Sequence, residues 1–162
     1  MQPYPVDVVD ERLIGALALF PRAGMVQLAR QAGVARNTAQ ARLDRLTAAG
    51  VITGFGPEID LRRLGYGVSA FVTIEMAQGR GQDVDAHLLD IPEVVEAYMT
   101  TGSADLLCRV VAKDNDHLGH LIARVLDIPG VMRTTTSLIL ATRIPPRARE
   151  VVHHLQQATQ GE

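Results

Sequence analysis

The sequence predicts an α+β protein in two parts: three short N-terminal helices, then a sheet-and-helix sandwich built in the order βαββαβ. Three observations predict it. Apolar residues recur at helical spacing through the first fifty residues and are interrupted by two glycine-bearing breaks, "PRAG" and "QAGVA". A short phrase is nearly duplicated, "LDIPEV" at 89–94 and "LDIPGV" at 126–131, each time after an amphipathic helix and before a strand-like run. Charge is divided as well. Residues 1–50 carry six Arg against four acids, whereas 51–162 carry ten basic groups against fourteen acids, so a net charge of −2 conceals a basic N-terminal part.

The first helix is expected over 7–20, with Val9, Leu13, Ala16, Leu17 and Phe20 on one apolar face. Asp7, Asp10 and Glu11 lie in its first turn, where carboxylates suit the positive end of the helix dipole. The second is expected over 25–31 with Gly33 as its stop, and the third over 36–49 with Ala39, Leu43 and Leu46 inward and Gly50 ending it. Two helices joined by so short a glycine-containing turn form a helix-turn-helix. On the third helix a 100° wheel puts Asn37, Ala41, Asp44 and Ala48 opposite the core. Thr38, Arg42 and Arg45 line one flank, Arg36 and Gln40 the other. Small residues admit close approach to base edges, and Arg, Asn and Gln suit base or phosphate contacts. Residues 22–50 hold five Arg and one Asp, the signature of a surface meeting a polyanion. Asp44 is the one discordant charge on that face.

The strands are expected over 68–76, 94–101, 106–112 and 131–141. Val68, Ala70, Val72, Ile74 and Met76 alternate onto one face of the first. The helix before the first "LDIP" turns Val84, Leu88 and Ile91 inward; the helix before the second turns in Leu118, Leu121, Ile122 and Val125. Proline after isoleucine disfavours helix at the preceding residue and so ends both. This order is the split βαβ, or ferredoxin-like, sandwich. Because Phe71 and Val111 alternate onto the other sheet face, that face is expected to be covered by another subunit.

The composition excludes several classes. At 47% hydrophobic and 21% charged residues the chain is expected to be globular. No apolar run approaches the roughly 18 residues that span a bilayer, so no membrane association is expected. The N-terminus has no secretory pattern, and the single cysteine, Cys108, cannot pair internally; a reducing cytoplasm is the expected compartment. There is no glycine-rich phosphate loop and no nucleophile elbow, and no cofactor is expected. His117, His120 and Arg124 form one outward helix stripe without a cysteine or carboxylate to complete a metal set, and are expected to be solvated. His87 lies on a polar helix face, and His153 and His154 belong to an expected C-terminal helix after "PPRARE". Cys108 is expected in the core.

Taken in order, "LARQAGVARNTAQARLDRLTAAGVITGF", "TGSADLLCRV" and "IPGVMRTTTSLIL" resemble the Lrp/AsnC family of feast/famine transcription regulators, from about Val6 to Thr142. The resemblance implies a winged-type helix-turn-helix over 1–50, a linker strand over 51–66 that pairs across a dimer, a ferredoxin-like effector-sensing and assembly domain over 67–145, and a helix or tail over 146–162. It implies duplex DNA containing an imperfect palindrome as a partner, a small effector that is usually an amino acid, and dimers that assemble to octamers. Arg42 and Arg45 would belong to the DNA-reading helix together with Arg36, Asn37, Thr38 and Gln40. Gly102 and Asp105 match the effector-loop motif, with Thr101 and Ser103 beside them, and Thr134, Thr135 and Thr136 would lie on the pocket strand. A ligand ammonium needs acceptors and a carboxylate needs hydroxyls or N–H groups, which these residues offer.

Two positions depart from the family pattern. Ala35 stands where the recognition helix usually has a serine N-cap, and Ala104 where the effector loop often has an aromatic. The sirohaem decarboxylases resemble the same two-part layout, and such an enzyme is the alternative reading. They use histidines and basic residues in the sheet domain, whereas here the basic residues gather on the N-terminal helix, which favours a regulator.

Overall fold

A computed structural model describes residues 4–159. The expected N-terminal domain and C-terminal tail extend past these limits, and 1–3 and 160–162 lie outside the described residues. The elements are α1 (Val8–Leu19), α2 (Met25–Ala32), α3 (Arg36–Ala48), β1 (Val68–Met76), α4 (Gly81–Leu89), β2 (Val94–Met99), β3 (Leu106–Ala112), α5 (Asn115–Leu126), β4 (Val131–Leu138) and α6 (Ala148–Thr159). They fall into two compact units. One joins the chain up to Glu58 with the chain from Ile144 onward; the other is Ile59–Arg143.

In the helical unit, α1 starts where the acids said it should. Asp7 is the N-cap, and its Oδ1 accepts from the N–H groups of Val9 and Asp10, both at 2.9 Å. Asp10 Oδ2 accepts from the Asp7 N–H at 3.3 Å, completing a capping box in which aspartate plays both parts. Leu13, Ala16, Leu28, Ala29, Ala32 and Ala39 are buried together; the alanines allow the three helices to cross closely. Phe20, expected at the inward end of α1, is instead its C-cap and 39% exposed, because the helix stops one residue before it. Gly33 closes α2 in the left-handed conformation at φ +72° and directs the chain into α3. Residues 51–67 contain bends and a turn at 61–65 but no strand. The linker strand expected over 51–66 is therefore not formed in the single chain; a strand forms only where a neighbouring strand supplies the ladder. The C-terminal helix α6 packs on α1, where His153 Nδ1 lies 2.5 Å from Glu11 Oε1.

The second unit is a four-stranded antiparallel sheet in the order β2-β3-β1-β4. Its core joins Ala70, Val72 and Ile74 of β1, Leu106, Cys108 and Val110 of β3, and the apolar stripes of α4 and α5. The duplicated phrase is a structural repeat. Both helices end at the leucine before the aspartate, with Asp90 and Asp127 as C-caps. Ile91 and Ile128 are both buried, and each carbonyl accepts from the N–H of the valine three residues on, at 3.0 Å in both copies. The copies differ at Glu93 and Gly130. Gly130 adopts φ +104°, and a Cβ there would lie 2.7 Å from the Arg80 Cβ, so only glycine fits. Strands β2 and β4 stop at Met99 and Leu138, short of the expected 101 and 141. Cys108 is in the core as expected, and burial, then the nearby Asp85 charge, push its thiol up to about 11. On the open sheet face Val111 is buried within the chain while Phe71 and Tyr98 remain exposed.

Candidate nucleic-acid interface and effector loop

Helix α3 is polar on its outer face because only Ala39 and Leu46 of its residues are fully buried. Arg36, Asn37, Thr38, Gln40 and Arg45 are all exposed, as are the small Ala41 and Ala48 between them. The helix begins at Ala35 in extended conformation without a side-chain cap, so the N–H groups of its first turn point outward unclaimed by a side chain. Asp44, the discordant acid, accepts from Gln40 Nε2 at 2.9 Å, one helical turn away.

Arg42 behaves differently from the other residues expected to meet DNA. It lies on the flank next to the Leu46 row and is half-buried, its Nη1 bonded to Asp7 Oδ2 and, at 3.2 Å, to Asp10 Oδ1. Desolvation works to raise the Asp7 pKa, but hydrogen bonds from the Asp10 N–H and from Arg42 outweigh it and hold the carboxyl below its ordinary value. The Asp7 hydrogen bond in turn raises the Arg42 pKa. The outer face therefore unites five of the six residues named from sequence, and the sixth is turned toward α1.

The expected effector residues gather at one end of the sheet, since Ile74 is flanked by Leu106 on one side and Thr134 on the other. The loop 100–105 is closed by its own backbone. The Thr100 N–H donates to the Asp105 carbonyl at 2.9 Å, and Thr100 Oγ1 donates to the Ala104 carbonyl at 2.9 Å. Asp105 is tied to the end of β1: its N–H donates to the Ile74 carbonyl, and its Oδ2 accepts from the Met76 N–H at 2.6 Å. Thr101, Gly102, Ser103 and Asp105 are exposed. The three threonines do not share a face. Thr134 and Thr136 stand opposite Ile74 and Val72 on the helix-covered side, and Thr135 stands opposite Thr73 on the open side. An apolar groove of about 660 Å³ between α1 and residues 52–58 includes none of these residues.

Family models match in two places: "Winged helix-turn-helix DNA-binding" over residues 7–53 and "Lrp/AsnC ligand binding domain" over 69–148. The chain is 32% identical over 138 residues to the HTH-type transcriptional regulator FL11 of Pyrococcus horikoshii, covering 85% of this chain and 91% of that protein. It is 32% identical over 146 residues to the regulatory protein AsnC of Escherichia coli K12, covering 89% and 96%. The chain belongs to the Lrp/AsnC family. The solved structure of Escherichia coli AsnC superposes with a TM-score of 0.82 at 30% identity, covering 90% of this chain and 99% of that one. That of the Mycobacterium tuberculosis leucine response regulatory protein, LrpA, gives 0.75 at 30% identity over 88% and 97%. This Lrp/AsnC protein is thus a transcriptional regulator with a DNA-binding helix-turn-helix and a ligand-binding sheet domain.

Sequence reasoning missed several partners in this Lrp/AsnC chain. Asp7 and Asp10 were legible as a helix start, and nothing in their spacing announced Arg42. Glu96 and Arg109 form an ion pair across β2 and β3 on the open sheet face, where the guanidinium holds the Glu96 carboxyl below its ordinary value against burial. His117 and Arg124, expected to be solvated, face Glu93. His117 Nδ1 accepts from the Lys113 N–H at 3.2 Å, its Nε2 lies 3.5 Å from Glu93 Oε1, and Arg124 Nη1 lies 3.7 Å from Glu93 Oε2. His153, expected to be an exposed tail residue, meets Glu11. His87 Nδ1 lies 2.7 Å from the Asp83 carbonyl. Among the described residues no group of three or more His, Cys, Asp or Glu is placed to hold a metal, and no helix is long and apolar enough to cross a membrane.

Proposed function

We propose that this regulator binds an imperfect DNA palindrome as a dimer-based assembly, laying the outer face of α3 in the major groove, and that an amino acid at the loop 101–105 adjusts that binding. The observation that carries the reading is the exposed set Arg36, Asn37, Thr38, Gln40 and Arg45 around the small Ala41. Paired donors on a close-approach surface are what base edges and phosphates require. Dimers have their expected seam in residues 51–60, which lack a strand partner in the single chain, and octamers would bring several α3 helices to one DNA.

The effector reading rests on chemistry at the sheet end. Asp105 offers a carboxylate to an ammonium, while Thr101, Ser103 and the loop N–H groups suit a carboxylate. Thr134 lies two strands from Asp105, roughly 10 Å at ordinary strand spacing, so both ends of a small zwitterion with its side chain fall within reach. The leucine response regulatory protein among the structural relatives supports an amino acid as the ligand class. The compartment that fits this role is the cytoplasm.

The test selects duplexes from a random pool with the full chain, then measures binding to the best one in the presence of each protein amino acid in turn. At least one amino acid should shift the affinity. Asp105→Asn should abolish that shift while leaving effector-free DNA binding intact, because the amide oxygen can still accept from the Met76 N–H. No response to any amino acid, or an undiminished response in Asp105→Asn, contradicts the effector site.

A further inference from the structure

We infer that Arg42 is a positioning residue that locks the recognition helix onto α1 through Asp7 and Asp10, and that it makes no contact with DNA. The inference rests on the DNA-binding reading above. Every oxygen of the two carboxylates has an assigned task. Asp7 Oδ1 caps α1 through Val9 and Asp10, and Asp7 Oδ2 takes Arg42. Asp10 Oδ2 takes the Asp7 N–H, and Asp10 Oδ1 takes Arg42 at 3.2 Å. The guanidinium therefore closes the capping box of α1 from a residue on α3, and the start of one helix and the seat of the other depend on the same pair of acids.

The burial decides which role wins. Asp10 is 1% exposed, and a buried carboxylate is tolerated only with a cation and hydrogen bonds. If Arg42 swung out to a phosphate, Asp10 would be left buried without its cation. Two aspartates against one arginine also leave this corner with a net charge of −1, which repels a phosphate backbone. The exposed Arg36 and Arg45 carry no such obligation among the contacts of α3. Asp7 and Asp10 lie 35 and 32 residues from Arg42 in sequence, so the tie fixes the α1–α3 crossing and is not a local helix contact.

The experiment measures affinity and its salt dependence for a duplex selected by the wild-type chain, using Arg42→Met, Asp10→Asn and Arg45→Ala. The sign of the Asp10→Asn effect separates the two roles. If Arg42 positions α3, removing its buried partner weakens DNA binding, although Asp10 itself is inaccessible to DNA. If Arg42 grips DNA, removing that competing acid frees it and strengthens binding. We expect Asp10→Asn and Arg42→Met each to weaken binding roughly tenfold or more, with lowered melting temperature and the wild-type salt slope. Their double variant should be no worse than the more damaging single one. Arg45→Ala should keep the melting temperature and lose about one unit of salt slope. Tighter binding by Asp10→Asn, or a reduced salt slope in Arg42→Met at unchanged melting temperature, overturns the inference while leaving the DNA-binding reading standing. A wild-type chain that retains no duplex sinks both. Should Arg42→Met fail to fold, the isosteric Asp10→Asn, which keeps an acceptor for the Asp7 N–H, still decides by its sign.

Discussion

Ala35 shows how much a single residue can tell. Its place before "RNTAQARL" identified the start of α3, and the structure confirms an N-cap with no side-chain hydrogen bond. A hydroxyl there would accept from one of the orphan N–H groups, so Ala35→Ser should stabilise the helical unit by about 1 kcal/mol. Chemical denaturation of the full chain measures this; an unchanged or lowered stability would mean that the first turn of α3 is already satisfied. Arg42 illustrates the opposite limit. Its helix and flank were legible, because both follow from periodicity. Its partners were not, because nothing in a one-dimensional pattern says that acids capping one helix also face an arginine on another.

Elements were legible where local chemistry fixes them. The "LDIP" phrases marked the ends of α4 and α5, since a proline three residues past the last helical leucine restricts the chain in the same way twice. The sequence also showed that one copy has glycine where the other has glutamate, and only the structure supplies the reason, the approach of Arg80. Gly130→Ala should therefore cost about 2–3 kcal/mol, combining a left-handed backbone with a Cβ clash. A loss below roughly 1 kcal/mol on denaturation would show that Arg80 yields freely. The effector strand was the weaker reading. "RTTTS" was correctly placed on β4, but treating its threonines as one group ignored the pleat, which sends Thr135 to the side opposite Thr134 and Thr136. Strand ends were overextended because the apolar "ILA" and the β-branched "TT" suit a strand and give no sign that the ladder has stopped.

At the scale of the whole molecule, the charge imbalance and the element order pointed to a nucleic-acid-binding helical part and a ferredoxin-like part, while three phrases in sequence carried the resemblance to the Lrp/AsnC family; the two parts survive in the structure. Of the six arginines of residues 1–50, Arg36 and Arg45 lie exposed on α3 beside the Arg42 lock, and the sheet unit carries more acids than basic groups. The C-terminal helix was foreseen as an element, whereas its seat on α1 depends on contacts such as His153 with Glu11 that link distant parts of the chain. The linker strand was expected from the family pattern, and residues 51–67 form no strand in the single chain.

The claim on which the rest depends is that the outer face of α3 holds DNA through Arg36 and Arg45. Its most direct test is the salt dependence of duplex binding, measured by fluorescence anisotropy for the wild-type chain and for the double variant Arg36→Ala/Arg45→Ala. Each lost phosphate contact removes about 0.9 from the slope of log affinity against log salt per bound subunit. The double variant should show a slope shallower by about two units per subunit, with melting temperature unchanged. A wild-type slope retained by the double variant would contradict the account.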